Sequence, residues 1–345
     1  MVLRVGVIGL GMGISHIQGY KKHAGAAVVA VADLDQGRRD RAQKEYGVTT
    51  TYADALEMLA RERLDVVSIA TPNALHEPLT LAAFTHGCHV LCEKPMAMDV
   101  RQGARMVAAA KKARRRLMIN FSFRFRPQSF ALKRIVDDGR LGHVYSARTC
   151  WLRRSGMPGF GGWFGQKKLA GGGPLIDLGV HRIDLALWLM GHPKPTWVMG
   201  GTSDAIAAPK AKREKKAFDV ENHATGLVRF ADGATLSVEA SWACHRSEPE
   251  FMETHLYGDK AGLVQRNVGG GYDFTAHLFE TRGDDHFDIQ LKEPLPPTPT
   301  AQEHLIQSII DGTPHLATGE EALDVQKILD ALYRSAATGK PVKVG

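Results

Sequence analysis

Residues 3–16 read Leu3-Arg4-Val5-Gly6-Val7-Ile8-Gly9-Leu10-Gly11-Met12-Gly13-Ile14-Ser15-His16. The segment Leu3–Ile8 is a short apolar run, typical of a buried strand and too short for a buried helix. Gly9 permits a tight turn after this strand, and Gly11 lets the backbone approach a pyrophosphate. The helix that follows offers free N–H groups and the positive end of its dipole. Because the turn joins a strand to a helix at the start of a βαβ unit, it predicts a dinucleotide-binding fold.

The third glycine of such a turn ordinarily falls at position 14, where this chain has Ile14. A glycine comes one residue earlier, at Gly13. Either the turn is one residue tighter, or the helix begins at a slightly different point. The alternative is a plain strand–helix turn that binds no cofactor. If a dinucleotide binds here, its candidate contacts are Gly9, Gly11, Met12, Gly13 and Ile14.

The first 120 residues alternate short apolar runs with helix-like segments. Val28–Ala32, Val66–Ala70 and His89–Cys92 are almost continuously apolar, which indicates strands of a parallel sheet covered on both faces. Between about residues 196 and 291, strand-like runs are instead separated by turn signals. We therefore predict an α/β Rossmann domain with a parallel sheet at residues 1–121. Residues 122–345 are predicted to form an α+β domain with an antiparallel or mixed sheet.

Composition excludes several classes of protein. Hydrophobic residues make up 44% of the 345 and charged residues 23%, close to ordinary globular usage. No apolar run is long enough to cross a membrane. The N terminus enters a strand directly, so we do not expect a signal peptide. We therefore expect a cytoplasmic location. The four cysteines lack the spacing of a complete zinc site, so we interpret them as free thiols and expect no metal.

The net charge of +7 raises the question of nucleic-acid binding. One basic cluster, Arg114–Arg116, falls at the end of a predicted helix, where cations suit the dipole. The other, Lys210–Lys216, lies in a loop-like polar stretch. Neither is interleaved with aromatic residues, so we interpret both as solvated surface and expect no nucleic-acid partner. An anionic substrate or cofactor would also benefit from a positive field.

Asp33 ends the second predicted strand, 24 residues after Gly9. A carboxylate at this position can accept hydrogen bonds from the ribose hydroxyls of NAD, and it repels the 2′-phosphate of NADP. Leu34 and Asp35 provide no adjacent cation. Arg38 and Arg39 are close in sequence, so use of NADP stays open, but NAD is favoured.

Glu93-Lys94-Pro95 follows a predicted parallel strand, and ligands bind at the carboxyl ends of such strands in open α/β sheets. A partly buried lysine near a cationic nicotinamide is expected to have a lowered pKa. It could then hydrogen-bond a substrate hydroxyl or help to deprotonate it. The alternative is an ordinary surface lysine at the start of a loop.

Asp177 and His181 lie four residues apart in a predicted helix, which places them on one face. Oxidation of a secondary alcohol removes a hydride from carbon and a proton from oxygen. Histidine suits the proton transfer because its pKa lies near neutrality. The carboxylate one turn away can orient the imidazole or bind a second hydroxyl. Alternatives are a surface pair or a two-ligand metal corner, but spacing marks no further ligands.

Together these motifs resemble the Gfo/Idh/MocA oxidoreductase family over nearly the whole chain. The matching segments, in the order in which the family has them, are the glycine turn with His16, Ala70–His76, Cys92–Pro95, Gly171–His181, Gly319–Glu321 and Ser335–Pro341. The resemblance implies that the sheet of residues 122–345 is open and largely antiparallel, and that this domain serves substrate binding and oligomerisation. It also implies that Lys94, Asp177 and His181 are the catalytic residues and contact substrate hydroxyls. It further implies cofactor contacts at Thr71, Asn73, His76, Glu93 and Lys94, and substrate contacts at Phe123 and Arg124.

The predicted function is hydride transfer between NAD and a secondary hydroxyl of a sugar, sugar derivative or cyclitol. His181 is expected to accept the hydroxyl proton while Lys94 polarises the same oxygen. Trp163 is a further candidate substrate contact, because an aromatic ring can stack on a sugar face; a core position is equally consistent. The resemblance also implies a homodimer or homotetramer. Alternatives are a glycosidase that retains NAD and oxidises its substrate transiently, and a non-enzymatic NAD-binding regulator.

Overall fold

The computed structural model describes residues 2–345. The chain forms two compact units, and each is described by itself. The first runs to Ser122 and includes Pro299–Leu323, whereas the second comprises Phe123–Thr298 and Asp324–Gly345. The predicted division placed all of 122–345 in the second domain, so it differs from the observed packing at residues 299–323. Among the described residues, no helix is long and apolar enough to cross a membrane.

The first unit contains a six-stranded parallel sheet of order β3-β2-β1-β4-β5-β6. Its central strands are almost entirely buried, which explains their continuous apolar sequences. The strands are β1 Leu3–Ile8, β2 Ala26–Ala32, β3 Thr50–Tyr52, β4 Val66–Ile69, β5 His89–Cys92 and β6 Leu117–Ile119. The helices between them are α1 Gly13–Tyr20, α2 Gln36–Tyr46, α3 Ala55–Arg61, α4 His76–Thr85 and α5 Val100–Ala113.

Aspartates start three of these helices by accepting hydrogen bonds from backbone N–H groups. Asp35 accepts from Arg38, Asp54 from Leu56 and Glu57, and Asp99 from Gln102. Helix α2 ends at Gly47, whose φ of 66° is the left-handed conformation of a helix stop. These local signals are legible in the sequence, so the helix positions were predictable.

The second unit contains a nine-stranded sheet of order β14-β13-β12-β11-β7-β10-β9-β8-β15. Only the β7–β10 pair is parallel among the pairs of this sheet that the structure describes. Its strands are β7 Val144–Arg153, β8 Pro195–Ser203, β9 His223–Phe230, β10 Thr235–Ser241, β11 Glu250–Gly258, β12 Ala261–Asn267, β13 Phe274–Arg282, β14 Asp285–Gln290 and β15 Val342–Lys343. The remaining helices of the chain are α6 Pro127–Asp137, α7 Lys167–Ala170, α8 Val180–Leu189, α9 Ala207–Glu214, α10 Ala301–Asp311 and α11 Gly319–Thr338.

The assignments of fold class are confirmed: a parallel Rossmann-type sheet in the first unit and a largely antiparallel sheet in the second. Helix α10 belongs to the first unit because it packs on α1. The ring nitrogen Nε2 of His23 lies 2.9 Å from Gln307 Oε1, and Gln302 packs against Gly19. The prediction of a loop over Lys210–Lys216 is wrong up to Glu214, since α9 covers that part.

Candidate functional site

The turn after β1 has the geometry that a dinucleotide site needs. Gly9 has a φ of 85°, and a Cβ atom there would lie 2.5 Å from the carbonyl oxygen of Ala70, so only glycine fits. At Gly11 the nearest atom to an added Cβ is Arg38 Nη1, 3.7 Å away, which leaves the backbone open to approach. Met12 precedes α1, is largely exposed and makes no side-chain cap. The N–H group of Ser15 donates to Met12 O at 3.0 Å, so the N–H groups at the start of α1 that could bind an anionic group are those of Gly13 and Ile14.

Gly13 resolves the irregular spacing of the glycines. It is the first residue of α1, and a Cβ atom on it would lie 2.8 Å from Val7 Cγ1 of β1. Close packing of helix on strand is the role of the third glycine in such turns. The helix therefore begins one residue early, and Ile14 is half-buried in its first turn.

The carboxylate of Asp33 lies directly after β2 and is held by two backbone groups. Oδ2 accepts a hydrogen bond from Leu10 N–H at 2.6 Å, and Oδ1 accepts one from Asp35 N–H at 2.8 Å. Arg38 Nη1 lies 3.6 Å from Oδ2. The turn therefore presents uncapped N–H groups for a pyrophosphate and an anchored carboxylate for a ribose, so these residues fit a dinucleotide.

Glu93 is the centre of a buried polar network at the end of β5. Its Oε1 accepts hydrogen bonds from His16 Nε2 at 2.8 Å and from Asn120 Nδ2 at 2.6 Å. Burial by itself would raise the pKa of Glu93. The hydrogen bond and charge of His16, the amide of Asn120 and the charge of Lys94 outweigh burial and hold this pKa at about 2. Glu93 is therefore a carboxylate at neutral pH.

His76 and Asn73, two candidate cofactor contacts, are buried in the first unit. His76 is fully buried, with Nδ1 2.7 Å from Pro95 O and Nε2 3.0 Å from Thr71 O. Both ring nitrogens thus face backbone carbonyls, and we do not retain His76 as a cofactor contact. Thr71 is half-buried at the end of β4, and Lys94 is half-buried after β5. Both follow the carboxyl ends of parallel strands.

In the second unit, Asp177 lies in a π-helical turn, Leu175–Gly179, that leads directly into α8. Its Oδ2 accepts a hydrogen bond from the indole Nε1 of Trp242 at 2.9 Å. Trp242 is buried just after β10, so it anchors the carboxylate from the sheet. The predicted α-helical spacing between Asp177 and His181 is therefore inexact, because a π turn has a wider repeat.

His181 lies in the first turn of α8 and is 8% exposed. Its ring packs edge-on against Phe123, with centroids 5.1 Å apart, and is tilted against Trp151 at 5.8 Å. Phe123 and Trp151 also pack against each other at 5.3 Å. The structure therefore brings the predicted residues Phe123 and His181 together in one aromatic cluster.

Arg124 is placed where it cannot reach a substrate directly. It is fully buried and forms a bidentate ion pair with Asp184, from Nε to Oδ2 at 2.9 Å and from Nη2 to Oδ1 at 2.6 Å. This pair links the segment after β6 to α8. The expected substrate contact at Arg124 is therefore replaced by a structural role.

Trp163 is half-buried and stacks on Phe164, with ring centroids 3.8 Å apart.

The predicted catalytic residues are divided between the units: Lys94 belongs to the first, and Asp177 and His181 to the second. Four residues to which the sequence gave no role contact candidate site residues. His16 and Asn120 contact Glu93, Trp151 packs against His181, and Trp242 donates to Asp177. Trp242 and Asn120 each directly follow a strand, and this was the available signal. The structure describes no cluster of three metal-ligating side chains within residues 2–345.

Comparisons with known proteins agree with this arrangement. The family model GFO_IDH_MocA, described as an oxidoreductase family with an NAD-binding Rossmann fold, matches residues 3–121. A model of the GFO/IDH/MocA C-terminal domain matches residues 130–264. D-glucoside 3-dehydrogenase of Escherichia coli strain K12 is 31% identical, over 99% of this chain and 97% of that protein.

Two further relatives act on other substrates. Inositol 2-dehydrogenase 4 of Saccharopolyspora erythraea is 30% identical, over 80% of this chain and 76% of its own length. A solved structure of levoglucosan dehydrogenase in complex with NADH and levoglucosan superposes with a TM-score of 0.88 at 25% identity. That alignment covers all of both chains.

Proposed function

The chain belongs to the GFO/IDH/MocA oxidoreductase family, and on that premise we propose that it is an NAD-dependent dehydrogenase of a sugar, sugar derivative or cyclitol. The observation that carries the proposal is the turn after β1. It combines an open Gly11, uncapped N–H groups at α1 and the anchored Asp33 carboxylate. The named relatives, which oxidise a glucoside, an inositol and an anhydrosugar by their names, support the substrate class.

When bound, the nicotinamide supplies a hydride acceptor. The chain must supply the groups that bind the hydroxyl and remove its proton. We propose His181 as the base, because its imidazole is enclosed by Phe123 and Trp151 and is held in one orientation. Asp177, fixed by Trp242, accepts a hydrogen bond from a second hydroxyl. The Lys94 ammonium polarises the reacting oxygen and stabilises the alkoxide that forms.

We propose NAD as the preferred cofactor. The Asp33 carboxylate is anchored by Leu10 and Asp35, so it is ready to accept hydrogen bonds from the ribose and cannot easily rotate away from a 2′-phosphate. The proposed cofactor contacts are the glycine turn, Asp33, Thr71, Asn73, Glu93 and Lys94. The proposed substrate contacts are Lys94, Phe123, Trp163, Asp177 and His181.

We further propose that the chain pairs with a second copy through its nine-stranded sheet. Adjacent strands expose large apolar side chains at paired positions: Met199 of β8 lies opposite Leu227 of β9, and both are about half exposed. Trp197 is also exposed on β8. A contiguous apolar area of this kind is typical of an interface.

The four cysteines of the chain are free thiols, which supports the proposal of a reducing, cytoplasmic location.

The proposal is tested by following NADH absorbance with inositols, aldoses, anhydrosugars and glycosides, with NAD and NADP in parallel. We expect net NADH with at least one free sugar or polyol and a loss of turnover in Lys94→Ala and His181→Ala. Unchanged turnover in both variants would remove the assignment of the catalytic residues. Release of free sugar from a glycoside without net NADH would instead indicate an NAD-retaining glycosidase, which the named relatives do not favour.

A further inference from the structure

Lys94 lies between two residues that are each fixed by a buried histidine. Glu93 precedes it and contacts His16, and Pro95 follows it and contacts His76. Both histidines are fully buried, and all of these residues belong to the first unit. His16 therefore holds the side chain of the residue before Lys94, and His76 contacts the carbonyl group of the residue after it.

The His16 side of this arrangement continues into the sheet. A carboxylate only accepts hydrogen bonds, so His16 Nε2 must donate to Glu93. His16 Nδ1 lies 2.9 Å from Ser68 Oγ, which lies 2.9 Å from the hydroxyl of Tyr20. Burial raises the pKa of Tyr20, so its phenol keeps the proton and can donate to Ser68. Ser68 can donate to Nδ1 of the neutral ring or accept from Nδ1 of the imidazolium, so both ring nitrogens of His16 have partners in either form.

The Glu93 carboxylate is also tied to the backbone of Lys94 itself. Its Oε2 lies 3.2 Å from Lys94 N–H, while the Glu93 N–H donates to Ile69 O of β4 at 2.8 Å. Asn120 holds Oε1 from β6 and donates its own backbone N–H to Cys92 O at 2.8 Å. Three strands thus contribute to the position of the Lys94 backbone.

The His76 side has a different chemistry. Its two partners, Pro95 O and Thr71 O, are carbonyl oxygens and can only accept. Both contacts are hydrogen bonds only in the imidazolium form; the neutral ring can satisfy one of them. Burial lowers the pKa of His76. The two carbonyl groups and the charge of Glu93 raise it, Lys94 lowers it further, and the net effect is a lowered pKa. In either form the ring ties Lys94–Pro95 to the segment that follows β4.

We propose that His16 and His76 are positioning residues for Lys94, acting through Glu93 and Pro95, and that neither contacts the cofactor. Full burial of both rings leaves no surface for a ligand, and all four ring nitrogens already face protein atoms. The inference rests on the proposed role of Lys94 in the dehydrogenase reaction. It adds two residues whose loss should reduce turnover without weakening cofactor binding.

The test compares His16→Gln, His16→Leu, His76→Gln and His76→Leu with the wild-type protein. Glutamine keeps N–H donors, whereas leucine keeps volume and removes them. Leucine at position 16 leaves the buried Glu93 charge with one donor fewer, so this variant is at risk of unfolding, and the glutamine variant covers that case. His86→Gln is the matched control, because His86 is exposed at the end of the same helix, α4, as His76.

Three quantities are measured: kcat with the best sugar, the Kd for NADH by fluorescence, and the acylation rate of the Lys94 amine by peptide mass spectrometry. Acylation of the exposed Lys44 serves as an internal reference. In the leucine variants we expect kcat to fall about tenfold to a hundredfold and the relative acylation rate of Lys94 to change by about threefold or more. The NADH Kd should stay near the wild-type value, and the glutamine variants should lie between leucine and wild type.

Two outcomes would overturn the proposal. A weakened NADH Kd with kcat retained would make the histidines cofactor contacts. An unchanged acylation rate of Lys94 in folded glutamine and leucine variants would make them structural residues only. If the wild-type protein oxidises no sugar, the proposed function fails, but the acylation rates still decide whether the histidines position Lys94.

Discussion

The guanidinium Nη1 of Arg38 lies 3.6 Å from the carboxylate Oδ2 of Asp33, the proposed acceptor for the ribose of the cofactor. Asp33 is almost buried, whereas about half of the Arg38 side chain is exposed. The two charges have opposite effects on a 2′-phosphate: the carboxylate repels it, and the guanidinium attracts it. Two backbone N–H groups hold the Asp33 carboxylate, whereas the Arg38 guanidinium is half exposed and makes only longer contacts, at 3.6 Å to Asp33 and 3.9 Å to Asp35. The carboxylate should therefore dominate the preference for NAD.

Replacing Asp33 with serine should therefore shift the preference toward NADPH. Serine keeps an acceptor near Leu10 N–H and removes the negative charge. We expect the ratio of NADPH to NADH affinity to rise on the order of tenfold, which corresponds to about 1.4 kcal/mol. Fluorescence titration with both cofactors measures this ratio. In the control, Asp33→Ser with Arg38→Gln, most of the gain should disappear; an equal gain would show that Arg38 does not bind the phosphate.

Gly9 and Gly47 separate two effects of glycine substitution. Both have positive φ, but an added Cβ meets Ala70 O at 2.5 Å at Gly9 and nothing within 4 Å at Gly47. Gly47→Ala should cost about 1 kcal/mol of unfolding free energy, from backbone conformation alone. Gly9→Ala should cost about 1–3 kcal/mol more, because the clash forces the backbone to move. Urea denaturation of both variants tests this, and equal costs would contradict the close approach to Ala70.

Gly13 and Val7 should be energetically coupled, since a Cβ at Gly13 would lie 2.8 Å from Val7 Cγ1. Gly13→Ala overpacks the contact between α1 and β1 at a cost of about 1–3 kcal/mol. Val7→Ala removes the atom that the new methyl group meets. The double variant should therefore be more stable than the sum of the single changes predicts, by at least about 0.5 kcal/mol. Strict additivity would mean that Gly13 does not serve as the close-packing glycine of the turn.

The sequence predicted the local features well because their causes are local. The glycine turn, the aspartate caps and the apolar strands each depend on neighbouring residues. Helix α9 was missed because its start depends on a distant residue: Asn222 Oδ1 accepts hydrogen bonds from the N–H groups of Ile206 and Ala207, both at 3.0 Å. Ala207 and Ala211 are buried and lie four residues apart, but the basic residues around Ala211 made this apolar spacing difficult to recognise in the sequence.

In the candidate site, too, features with local causes were predictable and contacts between distant residues were not. Lys94, Asp177 and His181 could be named from motifs, whereas the partners that hold them are far away in the chain. Arg124 lies next to Phe123 in sequence, but only its ion pair with Asp184, 60 residues later, shows that it faces away from solvent. Trp242 is 65 residues from Asp177, and no spacing rule connects them. The motifs therefore predicted which residues belong to the candidate site, but not which distant residues contact them.

Arg182, the residue after His181, is a buried cation with little compensation. Its Nη2 donates to Thr254 Oγ1 at 2.6 Å, and its guanidinium lies 5.5 Å from the centre of the Phe123 ring. Its Nε and Nη1 have no hydrogen-bond partner among the described residues. Burial lowers the pKa of Arg182 to about 10, and electrostatic interactions with Cys150 and Glu253 only partly offset this.

Methionine at position 182 should therefore stabilise the protein. It keeps much of the apolar volume and removes a desolvated charge, while Thr254 keeps its hydrogen bond to Thr149 at 2.7 Å. We expect the free energy of unfolding at neutral pH to rise by about 1 kcal/mol or more. The pKa is lower in the folded state than in the unfolded state, so the destabilisation by Arg182 is fully present below about pH 10 and is relieved as the pH rises above that value. Urea denaturation at pH 7 and near pH 10 should show the advantage of Arg182→Met beginning to shrink at the higher pH. A marked loss of stability at pH 7 would instead show that the guanidinium makes a favourable contact, for example with an ordered water, that outweighs its desolvation.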